Sequence, residues 1–244
     1  DRIDDQSWGT TLSVKNKLSI LFSLGYLITA AASCTGEADP PDYPITPVGF
    51  TEVTLSDGFW APRLETNRVS TIPFAMRQNE ETGRVDNFRI AGGLKEGKYK
   101  GERYNDTDVY KVMEGAAYTL ALRADPKLES EMDSLIETIA AAQEEDGYLF
   151  TSRTVDPETP LMGTGEERWS NLAVSHELYN AGHLYEAAVA HYLATGKRGF
   201  LEIALKNADL VAATFGPELK HDAPGHQEIE LGLVKLFRAT GDTR

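Results

Sequence analysis

Glu186-Ala187-Ala188-Val189-Ala190-His191-Tyr192-Leu193-Ala194-Thr195-Gly196-Lys197 decides how the chain is built, because it ends a long apolar-faced helix and recurs elsewhere. The helical pattern runs from Asn171 to Ala194 and stops at Thr195-Gly196, where a glycine can take the left-handed conformation that closes a helix. The segment ending Phe237-Arg238-Ala239-Thr240-Gly241-Asp242 echoes it, and Glu114-Gly115-Ala116-Ala117-Tyr118 to Leu122 is a looser third copy. Helices that repeat in this way, two of the copies followed by a short turn and a returning helix, form a stacked or closed array of antiparallel pairs.

Working outward, Asp108 can cap a helix with Val109, Val112, Met113, Ala116, Ala117 and Leu120 on one face. Pro126 opens the next, with Leu128, Met132, Leu135, Ile136 and Ile139 facing inward and Gly147 beyond its end. Phe200 to Phe215 is another, stopped by Gly216-Pro217, and a fifth runs from near Gly225-His226 to Ala239-Thr240-Gly241. Towards the N-terminus the pattern weakens. Thr51 to Leu55 alternates as an edge strand or extended segment would, Ser56-Asp57-Gly58 marks a turn, and Phe59 to Phe74 is a mixed helix stopping near Pro73. The fold class is therefore all-α with a short extended segment at its start. The last repeat ends in its turn at Arg244, which leaves an apolar face without its returning helix, so the domain at 50–244 is expected to be truncated.

Before residue 50 the chain changes character. Lys15 and Lys17 precede an apolar run from Leu18 to Ala30, and Ala31-Ala32-Ser33 leads into Cys34, the single cysteine. A basic start, a short apolar core and a small-residue exit describe an export signal over 14–33 rather than a membrane span. Ala-Ser-Cys at its end has the form of a bacterial lipoprotein signal, with Cys34 the lipidated residue and 34–49 an acidic, Pro-rich tether. This predicts an exported protein held at the membrane through Cys34. Residues 1–13 fit no part of such a signal and are taken as upstream mistranslation, with Val14 the initiator.

The chemistry is narrowed mainly by exclusion. A net charge of −14 over 244 residues argues against a nucleic-acid partner. One cysteine leaves no internal disulfide and no cysteine-based zinc site. His176-Glu177 opens a metalloprotease pattern, but Asn180 stands where the second histidine belongs. His176 and His183 share a helix face without a third ligand, so no metal is expected in this chain. There is no nucleophile elbow and no phosphate-cradling glycine loop. Trp169, Tyr148, His226 and Gln227 collect where helices begin or end, a mixture of aromatic and short polar groups that suits a carbohydrate cleft.

Arg168-Trp169-Ser170-Asn171 followed by Ser175-His176-Glu177-Leu178-Tyr179-Asn180-Ala181-Gly182-His183 and on to His191 resembles a segment of the β-L-arabinofuranosidase-like proteins, glycoside hydrolase family 127 and its relatives. Asp57-Gly58-Phe59-Trp60, Arg84-Val85-Asp86-Asn87-Phe88, Asp106 to Lys111, Asp146-Gly147-Tyr148-Leu149 and Pro224-Gly225-His226-Gln227-Glu228-Ile229-Glu230 match in the family's order, over roughly residues 50 to 244.

The resemblance implies an (α/α)6 toroid, of which 50–244 would be the incomplete N-terminal portion. It implies exo-acting, retaining removal of terminal L-arabinofuranose from plant-type glycans, by a cysteine nucleophile held with other cysteines and a glutamate around zinc. An arabinose-containing oligosaccharide or glycan is the implied partner. By position in the motifs, His176 and His226 are implied sugar contacts, with Asp86, Trp169 and Tyr148 as further cleft residues. Phe150 departs from the polar residue that many members carry there. The zinc-binding cysteines and acid/base glutamate are expected beyond Arg244, so no catalytic residue and no zinc are expected in this chain, and the fragment itself is expected to be inactive. Two rivals are a non-catalytic glycan-binding helical protein and a helical interaction scaffold without a sugar role.

Overall fold

The computed structural model describes residues 45–243. These form helices and no strand. Residues 1–13, the leader at 14–33, Cys34 and most of the tether at 34–49 lie outside the described residues. No helix among the described residues is long and apolar enough to cross a membrane.

The first three helices are α1 (Trp60–Thr66), α2 (Ile72–Glu81) and α3 (Arg84–Ala91). They lead into the pair α4 (Asp106–Leu122) and α5 (Pro126–Ala142). The short α6 (Thr151–Thr154) and α7 (Leu172–Ser175) precede a second pair, α8 (Glu177–Thr195) and α9 (Gly199–Thr214), and α10 (Glu228–Thr240) follows. Helix α8 packs against α4, α9 and α10, while α5 packs against α3 and α9. Thus α4, α8 and α10 make one layer, and α5 and α9 make a second behind it. The three repeat segments are the C-terminal ends of α4, α8 and α10, all in the first layer.

Local chemistry explains the helix ends. The Asp125 carboxylate caps α5 by accepting from the Leu128 N–H at 3.2 Å, and Pro126 fills the first turn, where its missing N–H is not needed. Gly196 and Gly241 close α8 and α10 with φ of 73°. The core between the layers is filled by Phe88, Tyr110, Met113, Met132, Phe150, Tyr185 and Phe200, each almost fully buried. Leu205, Val211, Phe215, Leu233, Leu236 and Phe237 line an apolar groove between α9 and α10.

Helices α8 and α10 cross unusually closely. A Cβ on Gly182 would lie 2.6 Å from the backbone of Glu228, and one on Gly232 would lie 2.7 Å from the Gly182 carbonyl oxygen. Only paired glycines permit that approach.

Several boundaries differ from the sequence reading. Residues 50–52 form a 3-10 turn rather than an edge strand, and no strand is available among the described residues to pair with it. Pro73 does not stop a helix. A π-turn over Asn67–Thr71, in which the Ile72 N–H reaches the Asn67 carbonyl, comes just before it, and Pro73 then sits in the first turn of α2. Asp108 is not the cap of α4. It lies inside the helix, paired with Arg84 at 2.6 Å. After α9 the chain leaves through an extended Phe215 bridged to Lys220, with no left-handed glycine. The segment from Asn171 is broken at His176, and α10 begins at Glu228 rather than near Gly225; both differences shape the site described below.

Asp106, at the start of α4, is fully buried and accepts hydrogen bonds from the N–H and the hydroxyl of Thr151, tying α6 to α4. Burial pushes its carboxyl from an ordinary 3.8 up to about 6, against the opposing pull of those two bonds. A folded pKa above the unfolded one contributes stability below pH 3.8 that is lost as pH rises through about 6. Asp106→Asn can keep both contacts, since the carboxamide oxygen accepts the N–H and the amide donates to a reoriented hydroxyl. Urea unfolding of wild type and Asp106→Asn at pH 4 and pH 8 should show the variant gaining on the order of 3 kcal/mol relative to wild type between the two.

Candidate functional site

Glu177 opens α8 and is 2% exposed. Its Oε1 accepts from the Tyr148 hydroxyl at 2.7 Å and the Trp169 N–H at 2.9 Å. Its Oε2 accepts from the Ser175 hydroxyl at 2.8 Å. Burial raises its pKa, and the donors from Tyr148, Trp169 and Ser175 pull the other way. The carboxylate thus gathers the loop before α8 around itself. Trp169 and His176 flank the loop with φ of 64° and 68°, left-handed values that cost a side-chain-bearing residue about 1 kcal/mol or more. The Trp169 ring is fixed edge-on between Tyr148 at 5.2 Å and Phe215 at 5.5 Å. Arg168 lies 4.1 Å over the Tyr148 ring and is ion-paired with Glu144 and Asp146.

The break presents the His176 side chain at the N-terminal end of the first layer. Its Nδ1 is 2.6 Å from the Val174 carbonyl. A carbonyl only accepts, so Nδ1 carries the proton and Nε2 offers a lone pair. Burial lowers the His176 pKa, aided by the nearby Arg103 and His226, which keeps the ring neutral. The His226 Nε2 lies 3.2 Å from the His176 Nε2, so His226 is the N–H donor of the pair. Tyr104 meets the His176 ring at 5.1 Å, and Arg103 Nε donates to the same Val174 carbonyl at 2.7 Å.

His226 reaches this place because of Gly225. The Gly225 N–H donates to the Leu172 carbonyl at 3.2 Å, and a Cβ on Gly225 would lie 2.3 Å from the Ala173 carbonyl oxygen. Only glycine lets this loop press onto α7, which delays the start of α10 to Glu228.

A second cluster adjoins the first through Tyr179. His183 Nδ1 is 3.2 Å from Glu228 Oε1 and 3.7 Å from Glu186 Oε2, yet neither Nδ1 nor Glu228 Oε1 is aligned for a hydrogen bond. Burial takes the His183 pKa down to about 4, so the ring is neutral and the 3.2 Å approach is not an ion pair. Burial raises the Glu228 pKa, and the neighbouring Glu186 carboxylate raises it further. Ligand atoms of His183, Glu186 and Glu228 lie within 4.8 Å of one another. Lys235 is ion-paired to Glu186 and, at 3.2 Å, to Glu114, so an ammonium already supplies the cation on that side of the cluster.

The structure brings His176 and His226 together. It places Tyr148 and Trp169 beneath them, buried around Glu177. Asp86 belongs to a separate group on α3, bonded to Lys95 at 2.6 Å and Arg89 at 3.1 Å. The sequence reading missed Glu177 as the organiser, as well as Arg103, Lys111 and Tyr179. Glu177 was weighed as part of a failed zinc motif and stood in the family segment without a role of its own, and no local pattern shows that the glutamate turns inward.

This site lies within a longer match: residues 52–244 fit the family model described as Beta-L-arabinofuranosidase, GH127 catalytic domain. The chain belongs to the GH127 family. A non-reducing end beta-L-arabinofuranosidase of Bifidobacterium longum subsp. longum is 37% identical over 213 residues, covering 79% of this chain and 32% of that protein. A solved GH127 beta-arabinofuranosidase is 51% identical with a TM-score of 0.77, covering 82% of this chain and 32% of that one. The GH127 beta-L-arabinofuranosidase Ara127N-Se of Geobacillus stearothermophilus T6 is 41% identical with a TM-score of 0.72, covering 78% of this chain and 30% of that one. The chain therefore spans about a third of the length of these GH127 relatives, and its helical layers follow their toroid fold.

The cysteine-held zinc that the GH127 resemblance implies has no matching donors among the described residues. Cys34 lies outside them, and the His183 cluster contains no thiolate.

Removing the organiser should cost more than removing one of its donors. Tyr148→Phe deletes one hydrogen bond and should cost about 1 kcal/mol. Glu177→Ala strands the Trp169 N–H and the Tyr148 hydroxyl in the core and should cost about 3 kcal/mol or more by denaturant unfolding. Equal effects would show that Glu177 does not organise the loop.

Proposed function

We propose that this chain supplies the sugar-binding wall of a GH127 hydrolase that removes terminal L-arabinofuranose from plant-type glycans with retention of configuration. The His176–His226 pair carries this reading. One imidazole offers a lone pair and the other an N–H, 3.2 Å apart at the mouth of the first helical layer. Adjacent furanose hydroxyls both donate and accept, so a sugar can enter between the rings and exchange their mutual contact for one bond to each. The neighbouring aromatic ring of Tyr104 gives the apolar surface that a furanose ring also needs.

Retaining hydrolysis requires a nucleophile and an acid/base group flanking the scissile bond. We assign both, with the cysteine-bound zinc that would keep a thiol ionised for attack, to the part of GH127 relatives that this chain does not span. On this reading, residues 34–244 alone bind arabinofuranose without releasing it. The apolar groove between α9 and α10 receives the next helix of the toroid, and Cys34 anchors the exported protein through a lipid.

The experiment is a kinetic comparison on a chromogenic β-L-arabinofuranoside in the full-length protein. His176→Ala and His226→Ala should each raise KM at least tenfold, the loss of about 1.4 kcal/mol of binding, while leaving the melting temperature within a few degrees. Because burial lowers the His176 pKa below the ordinary imidazole value of 6.5, binding should weaken only on the acid side of that value, as the lone pair is protonated. An unchanged KM in both variants overturns the reading.

A further inference from the structure

Tyr179 stands one turn after His176 on α8, and three imidazoles meet its ring. His176 approaches at 5.5 Å and His183 at 4.7 Å, both edge-on, and His226 lies at 4.8 Å with the planes 39° apart. The hydroxyl of this ring accepts a hydrogen bond from Lys111 Nζ at 2.6 Å. Lys111 belongs to α4, is exposed, and also donates weakly to Thr107 Oγ1 at 3.4 Å. Among the described residues no carboxylate lies within ion-pair distance of this ammonium, so its firmest bond is to the tyrosine.

The arrangement answers a mechanical problem. His176 is fixed by its own backbone and by Val174, but His226 sits in a loop outside any helix. Gly225 fixes where that loop lies, not how the imidazole is turned. Two freely rotating side-chain bonds would spread His226 over several orientations, and a donor that must be ordered on binding weakens the complex. The ring of Tyr179 packs against the His226 ring at 4.8 Å, and a ring held that close limits how the imidazole can turn. Lys111 in turn fixes the far end of that ring to a different helix. The same ammonium disfavours protonation of His183, the third imidazole against the Tyr179 ring.

We propose that Tyr179, pinned by Lys111, is a positioning residue for the sugar site, holding the His226 imidazole against His176 so that the donor and acceptor are set before the ligand arrives. This rests on the reading of the histidine pair as the sugar-binding wall. Lys111 links α4 to α8 at the point where the loop before α10 joins them, so three helices of the first layer set one separation.

The test uses Tyr179→Phe and Lys111→Met in the full-length protein, with Lys111→Arg as the conservative variant. Tyr179→Phe keeps the ring and removes only the anchor. KM for the chromogenic arabinofuranoside should rise about fivefold in Tyr179→Phe and Lys111→Met, with kcat within twofold and the melting temperature kept. Lys111→Arg, which can still donate to the phenol, should recover most of the loss. In parallel, imidazole nitrogen NMR should show distinct, fixed tautomers for His176 and His226 in wild type and averaged signals in the two variants. A residue that merely packs would shift the melting temperature and leave those signals alone. Unchanged KM together with unchanged imidazole signals overturns the positioning role. If His176→Ala and His226→Ala leave KM unaffected, the sugar-wall reading fails, and the nitrogen signals still decide whether Tyr179 positions His226.

Discussion

A carboxylate buried at the first turn of a helix has to be satisfied where it stands, and Glu177 meets that demand by drawing in the N–H of Trp169 and the hydroxyls of Tyr148 and Ser175. The chain cannot both deliver those donors and continue as a regular helix. It therefore breaks at His176, and two side-chain-bearing residues accept left-handed backbone angles. The strain is small beside the cost of an unsatisfied buried charge. The break turns His176 out towards the mouth of the layer instead of along the α8 face. The histidine pair thus depends on a glutamate that does not touch it.

A second constraint acts at the crossing of α8 and α10. Gly182 and Gly232 let the backbones approach until no Cβ fits between them, and that closeness drives Glu228 against His183 and Glu186. Of the three carboxylates brought together from α4, α8 and α10, Glu114 and Glu186 share the ammonium of Lys235, and Glu228 is left outside its direct reach. With His183 held neutral, the polar cluster costs least when Glu228 keeps its proton, which is the direction in which burial and Glu186 push it. The same crossing fixes the start of α10, and so the length of loop available to carry His226.

Much of the fold was legible because repeats and apolar faces are properties of a single helix. The copies ending at Leu122, Gly196 and Gly241 lie in one layer, and Asp125-Pro126 and the two glycine stops end their helices as the residues alone suggest. The failures have different causes. Helix α3 carries its Asn87 and Phe88 inward without a clean period, so only its motif stood out. Pro73 was read as a stop because a π-turn that absorbs its ring is set by backbone geometry, not composition. In the candidate site, His176 and His226 were singled out by their motifs, and the structure brings their rings together. Glu177 was not, since a buried acid is identified by donors 8 and 29 residues away in the chain, at Trp169 and Tyr148. Lys111 and Tyr179 are 68 residues apart, and nothing in either neighbourhood announces the other.

The electrostatics of the site bear on its ligand. The protein carries a net charge of −14, and at the mouth of the first layer burial, aided by Arg103, lowers the His176 pKa and favours its neutral ring. The net charge of −14 disfavours an anion at long range, and a cation would find Glu186 and Glu114 already paired with Lys235. A neutral polyhydroxyl compound meets neither obstacle. It gains most from a fixed lone pair next to a fixed N–H, because each hydroxyl it brings must give up water bonds on both its donor and its acceptor side. The charge pattern and the paired tautomers therefore favour the same class of ligand, although they arise from different parts of the chain.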